Sequence, residues 1–194
     1  MCIRDRLGLA QYVINLGYRA VATMNDTALA IPYALKAGLG EYGRHGLLIT
    51  KEFGPRVRIG KIFTDLPLAH DYPKTFGVTE FCKICRRCSD ACPVNAIPDG
   101  QPSDIVYNKS NIRGVRKWTV DAEPCFKFWR NQNSDCSICV RVCPYNRDLR
   151  GFWSRMWLWL AGTPLRRIAL WMADLFTPSN RVSPSAWWRK GTQS

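Results

Sequence analysis

The sequence predicts an α+β fold in which a cysteine-rich module sits between an α/β flank and a helical tail. Three observations predict it. Eight of the nine cysteines fall into two runs in the middle of the 194 residues. Short alternating segments punctuated by glycine precede them, and an apolar stretch rich in tryptophan and broken by arginine follows them. The chain accordingly divides into residues 1–75, 76–150 and 151–194.

The opening Met1-Cys2-Ile3-Arg4-Asp5-Arg6 resembles translated sequencing-adapter sequence and runs into an apolar helical pattern without a cap, so the chain reads as the C-terminal part of a longer protein. Residues 7–16 carry the spacing of a helix end, and residues 18–23 read as a short buried strand containing Val21 and Ala22. Asn25 and Asp26 stand where an N-cap is wanted. The apolar helix expected over 27–35 carries Pro32, which should kink it, and stops near Gly38. Gly38, Gly40, Gly43 and Gly46 then punctuate a turn-rich segment that leads into a strand at 47–50. Glycines at that density let backbone amides approach a ligand, or serve plain turn chemistry. After the Gly54-Pro55 turn a strand is expected at 57–64, with Arg56 and Arg58 on one face and Val57 and Ile59 on the other.

Cys82, Cys85, Cys88 and Cys92 precede Pro93 in the C-x2-C-x2-C-x3-C-P spacing of bacterial two-cluster ferredoxins. Cys125, Cys136, Cys139 and Cys143, followed by Pro144, repeat the end of that pattern with the leading cysteine set further upstream. Three closely spaced thiolates wrap three corners of one cubane, and in the two-cluster arrangement the last cysteine of each run serves the other cluster. The expected ligand sets are Cys82, Cys85, Cys88 and Cys143 for one [4Fe-4S] cluster, and Cys92, Cys125, Cys136 and Cys139 for the second. Structural zinc has no use for the third evenly spaced cysteine or the proline. C-x2-C loops are poor disulfide geometry. Cys2 reads as an ordinary thiol.

Twenty-eight lysines and arginines against fifteen acidic residues give a net charge of +13. That balance suits an anionic partner, although part of it offsets the charge of two thiolate-ligated clusters. No run of eighteen apolar residues is present to span a bilayer as a helix. His45 and His70 read as surface or hydrogen-bonding residues before metal ligands. Lys83, Arg86 and Arg87 flank cluster thiolates, where they raise potential and solubility or offer a docking site to an acidic electron donor. The tail holds most of the eight tryptophans, among them Trp153, Trp157 and Trp159, with Arg155, Arg166 and Arg167 between its apolar runs. It reads either as two amphipathic helices packed on the cluster module or as an interfacial segment at a membrane surface.

The string AGLGEYGRHGLLITKEFGPRVRIGKIFTDLPL at 37–68, followed by FCKICRRCSDACP and CSICVRVCPYN, resembles the C-terminal half of the corrinoid iron-sulfur reductive dehalogenases. It is similar, less closely, to epoxyqueuosine reductase. The resemblance covers roughly residue 8 to the end. It implies that residues 1–75 form the C-terminal part of a nitroreductase-like, cobalamin-binding domain, that 76–150 form the two-cluster ferredoxin-type domain, and that 151–194 form a helical tail. It implies electron transfer through two [4Fe-4S] clusters to a base-off cobalamin, reduced to Co(I) beside a small organohalide, with a proton replacing the halide. The backbone at Gly38, Gly40, Gly43 and Gly46 would line the corrin. A polar pocket residue falls at or beside Asn25, and a basic one among Arg56, Arg58 and Lys61. The proton-donor tyrosine of such enzymes belongs upstream of Asn25, and Tyr12 and Tyr18 read as packing residues instead. The implied partners are an electron-donor protein or a quinol-linked membrane anchor, without nucleic acid. The implied location is the outer face of the cytoplasmic membrane where an upstream export signal exists, and the cytoplasm otherwise. A tRNA-modifying reductase and a plain ferredoxin-type carrier are the alternatives.

Overall fold

The computed structural model describes residues 2–24, 27–109 and 111–176. Helix α1 (Cys2–Asn15) buries Ala10 and Val13, one turn apart, and ends at Gly17. Gly17 takes φ 93°, which lets the Tyr18 N–H reach back to the Val13 carbonyl at 3.3 Å and close the last turn. That same buried face leaves Tyr12 exposed, and Tyr18 is exposed beyond the helix end, so neither is the packing residue expected.

Strand β1 (Ala20–Thr23) pairs antiparallel with β4 (Lys61–Thr64). The burial expected at Val21 is not found: Val21 and its partner Phe63 are both exposed. The sheet has only two strands and α1 covers one face of it, so alternate side chains meet solvent. The strand expected over 57–64 is shorter than predicted, because only 61–64 find a ladder partner. The predicted alternation survives in its burial, with Arg56 and Arg58 exposed and Val57 and Ile59 half-buried.

Helix α2 (Ala30–Lys36) starts later than predicted, with Leu29 at its N-cap and no side-chain cap. Asn25 and Asp26 lie outside the described residues. Pro32 falls within the first turn, where its missing N–H has no intrahelical acceptor to lose, so the helix accommodates it there. Strands β2 (Glu41–Tyr42) and β3 (Leu48–Ile49) form a hairpin. Its strands approach so closely that a Cβ on Gly40 would stand 2.2 Å from the Ile49 carbonyl oxygen.

Beyond the hairpin the chain becomes helical, with α3 (Val78–Ile84), α4 (Arg87–Asp90), α5 (Ala122–Gln132) and α6 (Ile138–Arg141). The two four-residue helices α4 and α6 pack on each other. Glu41 of the hairpin caps α3 from outside, accepting from the N–H groups of Phe76, Val78 and Thr79. Helices α7 (Phe152–Gly162) and α8 (Arg166–Phe176) pack together, and α7 lies on α3. Phe81, Tyr145 and Trp157 meet edge to face at the centre, with ring centroids 5.1 to 5.6 Å apart. The Trp157 indole N–H donates to the Ala169 carbonyl at 2.8 Å. Ile49 joins the same core and ties the hairpin to the module. The outer face of the α7–α8 pair exposes Phe152, Trp153, Trp159 and Trp171. Residues 177–194 of the tail lie outside the described residues, and among those described no helix is long and apolar enough to cross a membrane. The chain is thus a mixed helix and sheet protein.

Candidate metal centre and adjoining cavity

The cysteine runs fold into short helices whose turns carry the thiols inward. Cys82 lies in α3, Cys85 at its C-cap and Cys88 in α4, while Cys139 lies in α6 and Cys143 just beyond it. Cys82, Cys85, Cys88 and Cys143 are buried; Cys92, Cys125, Cys136 and Cys139 are partly exposed. Burial raises the Cys143 thiol well above its ordinary pKa, and Cys82, Cys85 and Cys88 add to the rise. Burial likewise pushes Cys139 up to about 11, with Cys136, Cys125 and Cys92 contributing. The thiols therefore stand in two groups, each combining the last cysteine of one run with three of the other. Cys139 also acts on Cys88, so the groups adjoin.

Among the described residues no three Cys, His, Asp or Glu side chains close on a single ion. A cubane holds its four cysteines at separate iron corners, a wider arrangement than a tetrahedral ion needs. Backbone amides turn toward the sulfurs: the Ala96 N–H donates to Cys92 Sγ at 3.3 Å, and the amides of Arg44, Arg87, Val140 and Tyr145 favour the thiolates of Cys82, Cys85, Cys139 and Cys143.

Arg44 is the residue that sequence reasoning missed. Its guanidinium is only 1% exposed. Nε donates to the Cys82 and Cys85 carbonyls at 3.1 Å, one terminal nitrogen to Cys82 O at 2.7 Å, and the other to Pro98 O and Gly100 O at 2.8 Å. The Trp118 ring lies 4.9 Å beneath it. These acceptors are neutral, and a buried cation without an anion is costly. Burial pushes Cys82 up to about 12, and the Arg44 charge opposes that rise. A thiolate-ligated cluster in the first group supplies the missing anion, so the donor set and its surroundings fit a [4Fe-4S] centre. Nothing in the cysteine spacing announces this arginine, because its partners come from residues 82 to 100.

The second thiol group opens on a cavity of about 840 Å³. Cys92, Cys125, Cys136 and Cys139 line it together with Leu29 to Pro32 at the α2 start and Tyr42, His45, Gly46 and Leu47 of the hairpin. His45 is 5% exposed, and burial lowers its pKa to about 4, so the ring is neutral. Its Nδ1 accepts the Leu47 N–H at 3.2 Å, which assigns the proton to Nε2. Nε2 is buried without a partner. A largely apolar cavity of this size with an orphaned donor in its wall fits one edge of a polar-rimmed cofactor.

The other predicted residues are placed as follows. Of the four glycines only Gly46, at φ 78°, lines the cavity. A Cβ on Gly38 would meet Tyr72 O at 2.3 Å and one on Gly43 would meet Ile49 Cδ1 at 2.7 Å, so these glycines, with Gly40, serve close packing within the chain. Lys61 is buried and donates to the Met24 and Ala28 carbonyls, whereas Arg58 is exposed. His70 is exposed. Lys83 pairs with Glu80 at 2.5 Å and Arg86 with Asp99 at 3.0 Å. Arg87 is not a surface docking residue: it is 9% exposed and ties α4 to α8 through Ala173 O at 2.9 Å.

Residues 81–146 match the family described as the 4Fe-4S double cluster binding domain. The chain is 48% identical over 145 residues to tetrachloroethene reductive dehalogenase of Desulfitobacterium hafniense, covering 72% of this chain and 26% of that one. Among solved structures, a reductive dehalogenase described as B12-dependent superposes with a TM-score of 0.75 at 32% identity, covering 86% of this chain and 24% of that one. Epoxyqueuosine reductase of Streptococcus thermophilus follows with a TM-score of 0.55 at 27% identity, covering 75% of this chain and 39% of that one. The resemblance carried by residues 37–68 and the two cysteine runs is borne out. The chain spans about a quarter of the length of the dehalogenases it matches.

Proposed function

We infer that the chain is the electron-delivering part of a corrinoid iron-sulfur reductive dehalogenase, an oxidoreductase that replaces the halide of an organohalide by hydrogen. The observation that carries this reading is the junction of two four-thiol groups with one cavity: the buried group adjoins the partly exposed one, and the latter lines the cavity. Cys82, Cys85, Cys88 and Cys143 would hold one [4Fe-4S] cluster, and Cys92, Cys125, Cys136 and Cys139 the other. Replacing halide by hydrogen consumes two electrons and one proton and releases halide, and one-electron clusters deliver the electrons singly. A corrinoid held at the cavity would supply the low-valent cobalt chemistry for carbon–halogen cleavage.

On this reading the protein's own residues orient and insulate. His45 and the Gly46 backbone would hold one rim of the corrinoid, while Gly38, Gly40 and Gly43 keep the hairpin compact behind it. Lys61 fixes the chain at Met24 and Ala28, beside the pocket position Asn25; Arg56 and Arg58 are the other basic candidates. The similarity to dehalogenases supports a nitroreductase-like origin for residues 1–75, with the cluster domain at 76–150 and the tail beyond. Exposed Trp153, Trp159 and Trp171 support a seat for that tail against a membrane surface or an anchor protein, on the outer face of the cytoplasmic membrane.

The test is reconstitution. Protein expressed from its complete reading frame and loaded anaerobically should bind about eight irons and eight sulfides. With cobalamin and a low-potential donor it should release halide from a haloalkene or haloaromatic. Zinc in place of iron, or turnover of epoxyqueuosine in tRNA without halide release, overturns the reading.

A further inference from the structure

Tyr145 follows the last cysteine of the second run by two positions, and its side chain is wholly buried. Edge-to-face contacts with Phe81 and Trp157, at 5.4 and 5.1 Å between centroids, hold the ring on two sides. Its hydroxyl has no hydrogen-bond partner. Buried phenols ordinarily find one, so an acceptor is due at this place. The same core contains Cys82, Cys85 and Cys143. Among the side chains of that core the cysteines alone offer an acceptor. Glu41 already accepts from Phe76, Val78 and Thr79, which leaves sulfur as the acceptor on offer.

We propose that the Tyr145 hydroxyl donates a hydrogen bond to a sulfur of the cluster held by Cys82, Cys85, Cys88 and Cys143, and raises that cluster's potential. The inference rests on the two-cluster reading above. A hydrogen bond to sulfur strengthens as electron density on the sulfur grows, so it favours the reduced cluster. One electron enters, no covalent bond is made or broken, and the phenol keeps its proton.

Tyr145→Phe tests the idea because it removes the hydroxyl and keeps the ring. In the full chain, loaded with iron and sulfide, the cluster whose signal is abolished by Cys85→Ala should shift about tenfold toward its oxidised form at fixed solution potential, about 59 mV for a one-electron couple. The other cluster should not move. An exchangeable deuteron coupling seen in D₂O at the reduced centre should vanish in Tyr145→Phe. Unchanged potentials, equal shifts in both clusters, or a Tyr145→Phe protein that folds but fails to assemble the cluster would overturn the proposal. Wild-type protein that takes up fewer than two clusters would instead remove the reading beneath it, a distinct result visible before any variant is made.

Discussion

His45 and Arg44 are neighbours in sequence, both are buried, and they answer burial differently. Arg44 spends its donors on four backbone carbonyls. His45 gives its charge up: its folded pKa lies near 4, below the ordinary 6.5. A depressed histidine pKa means that the unfolded chain binds the proton first as pH falls. The stability held at neutral pH is then lost progressively from about 6.5 downward and bottoms out near 4, at about 1.4 kcal/mol per pH unit within the window. Urea midpoints measured between pH 7 and 5 should fall for the wild type, and His45→Gln should flatten that part of the slope. Neither residue was legible as a site in the sequence. A histidine within a glycine loop carries no mark of the apolar wall that will enclose it, and an arginine carries no mark of carbonyls forty to fifty residues away.

The elements that were legible are those whose signal is local. Cysteine spacing marks the double-cluster domain directly, and the turns at Gly38 and Gly46 follow from residues within a few positions of each other. The burial of β1 was misjudged because it depends on how many strands join it, a tertiary matter that Val21 and Ala22 cannot express. The helices α4 and α6, of four residues each and carrying one cysteine apiece, Cys88 and Cys139, are too short to show a period. The α3–α7 contact depends on a pair of glycines that spacing did not single out. Gly77 has φ 91°, and a Cβ there would stand 2.4 Å from the Gly162 Cα. Gly77→Ala should therefore destabilise by about 1–3 kcal/mol through backbone strain and the forced separation of the two helices. Gly100→Ala, with nothing within 4 Å of its Cβ position, should stay within about 0.5 kcal/mol in the same urea titration.

At the scale of the molecule α4 of the first cysteine run packs on α6 of the second, which brings residues 82–92 and 125–143 together across the fold. If each group holds one cluster, Cys143→Ala and Cys85→Ala should each remove the same paramagnetic centre. Cys92→Ala and Cys139→Ala should each remove the other, every variant retaining about four irons. Pairing of Cys143 with Cys139 in this assay would mean that the runs act in sequence. The net charge of +13 is legible in composition, but its distribution is not: Arg44 and Arg87 are inside, one against the thiol loop and the other against α8.

The hairpin that carries Arg44 and His45 touches both ends of this arrangement. Residue 44 grips the carbonyls of the buried thiol loop, and residue 45 faces the cavity. An occupant that displaces His45 pulls on the polypeptide one bond away from that grip. Thermodynamic reciprocity makes the traffic two-way: whatever binding at the cavity does to the electron affinity of the buried group, the oxidation state of that group does to the grip on the occupant. Two adjacent side chains on a short ribbon would thus let the protein's hold on a ligand depend on whether it is charged with electrons.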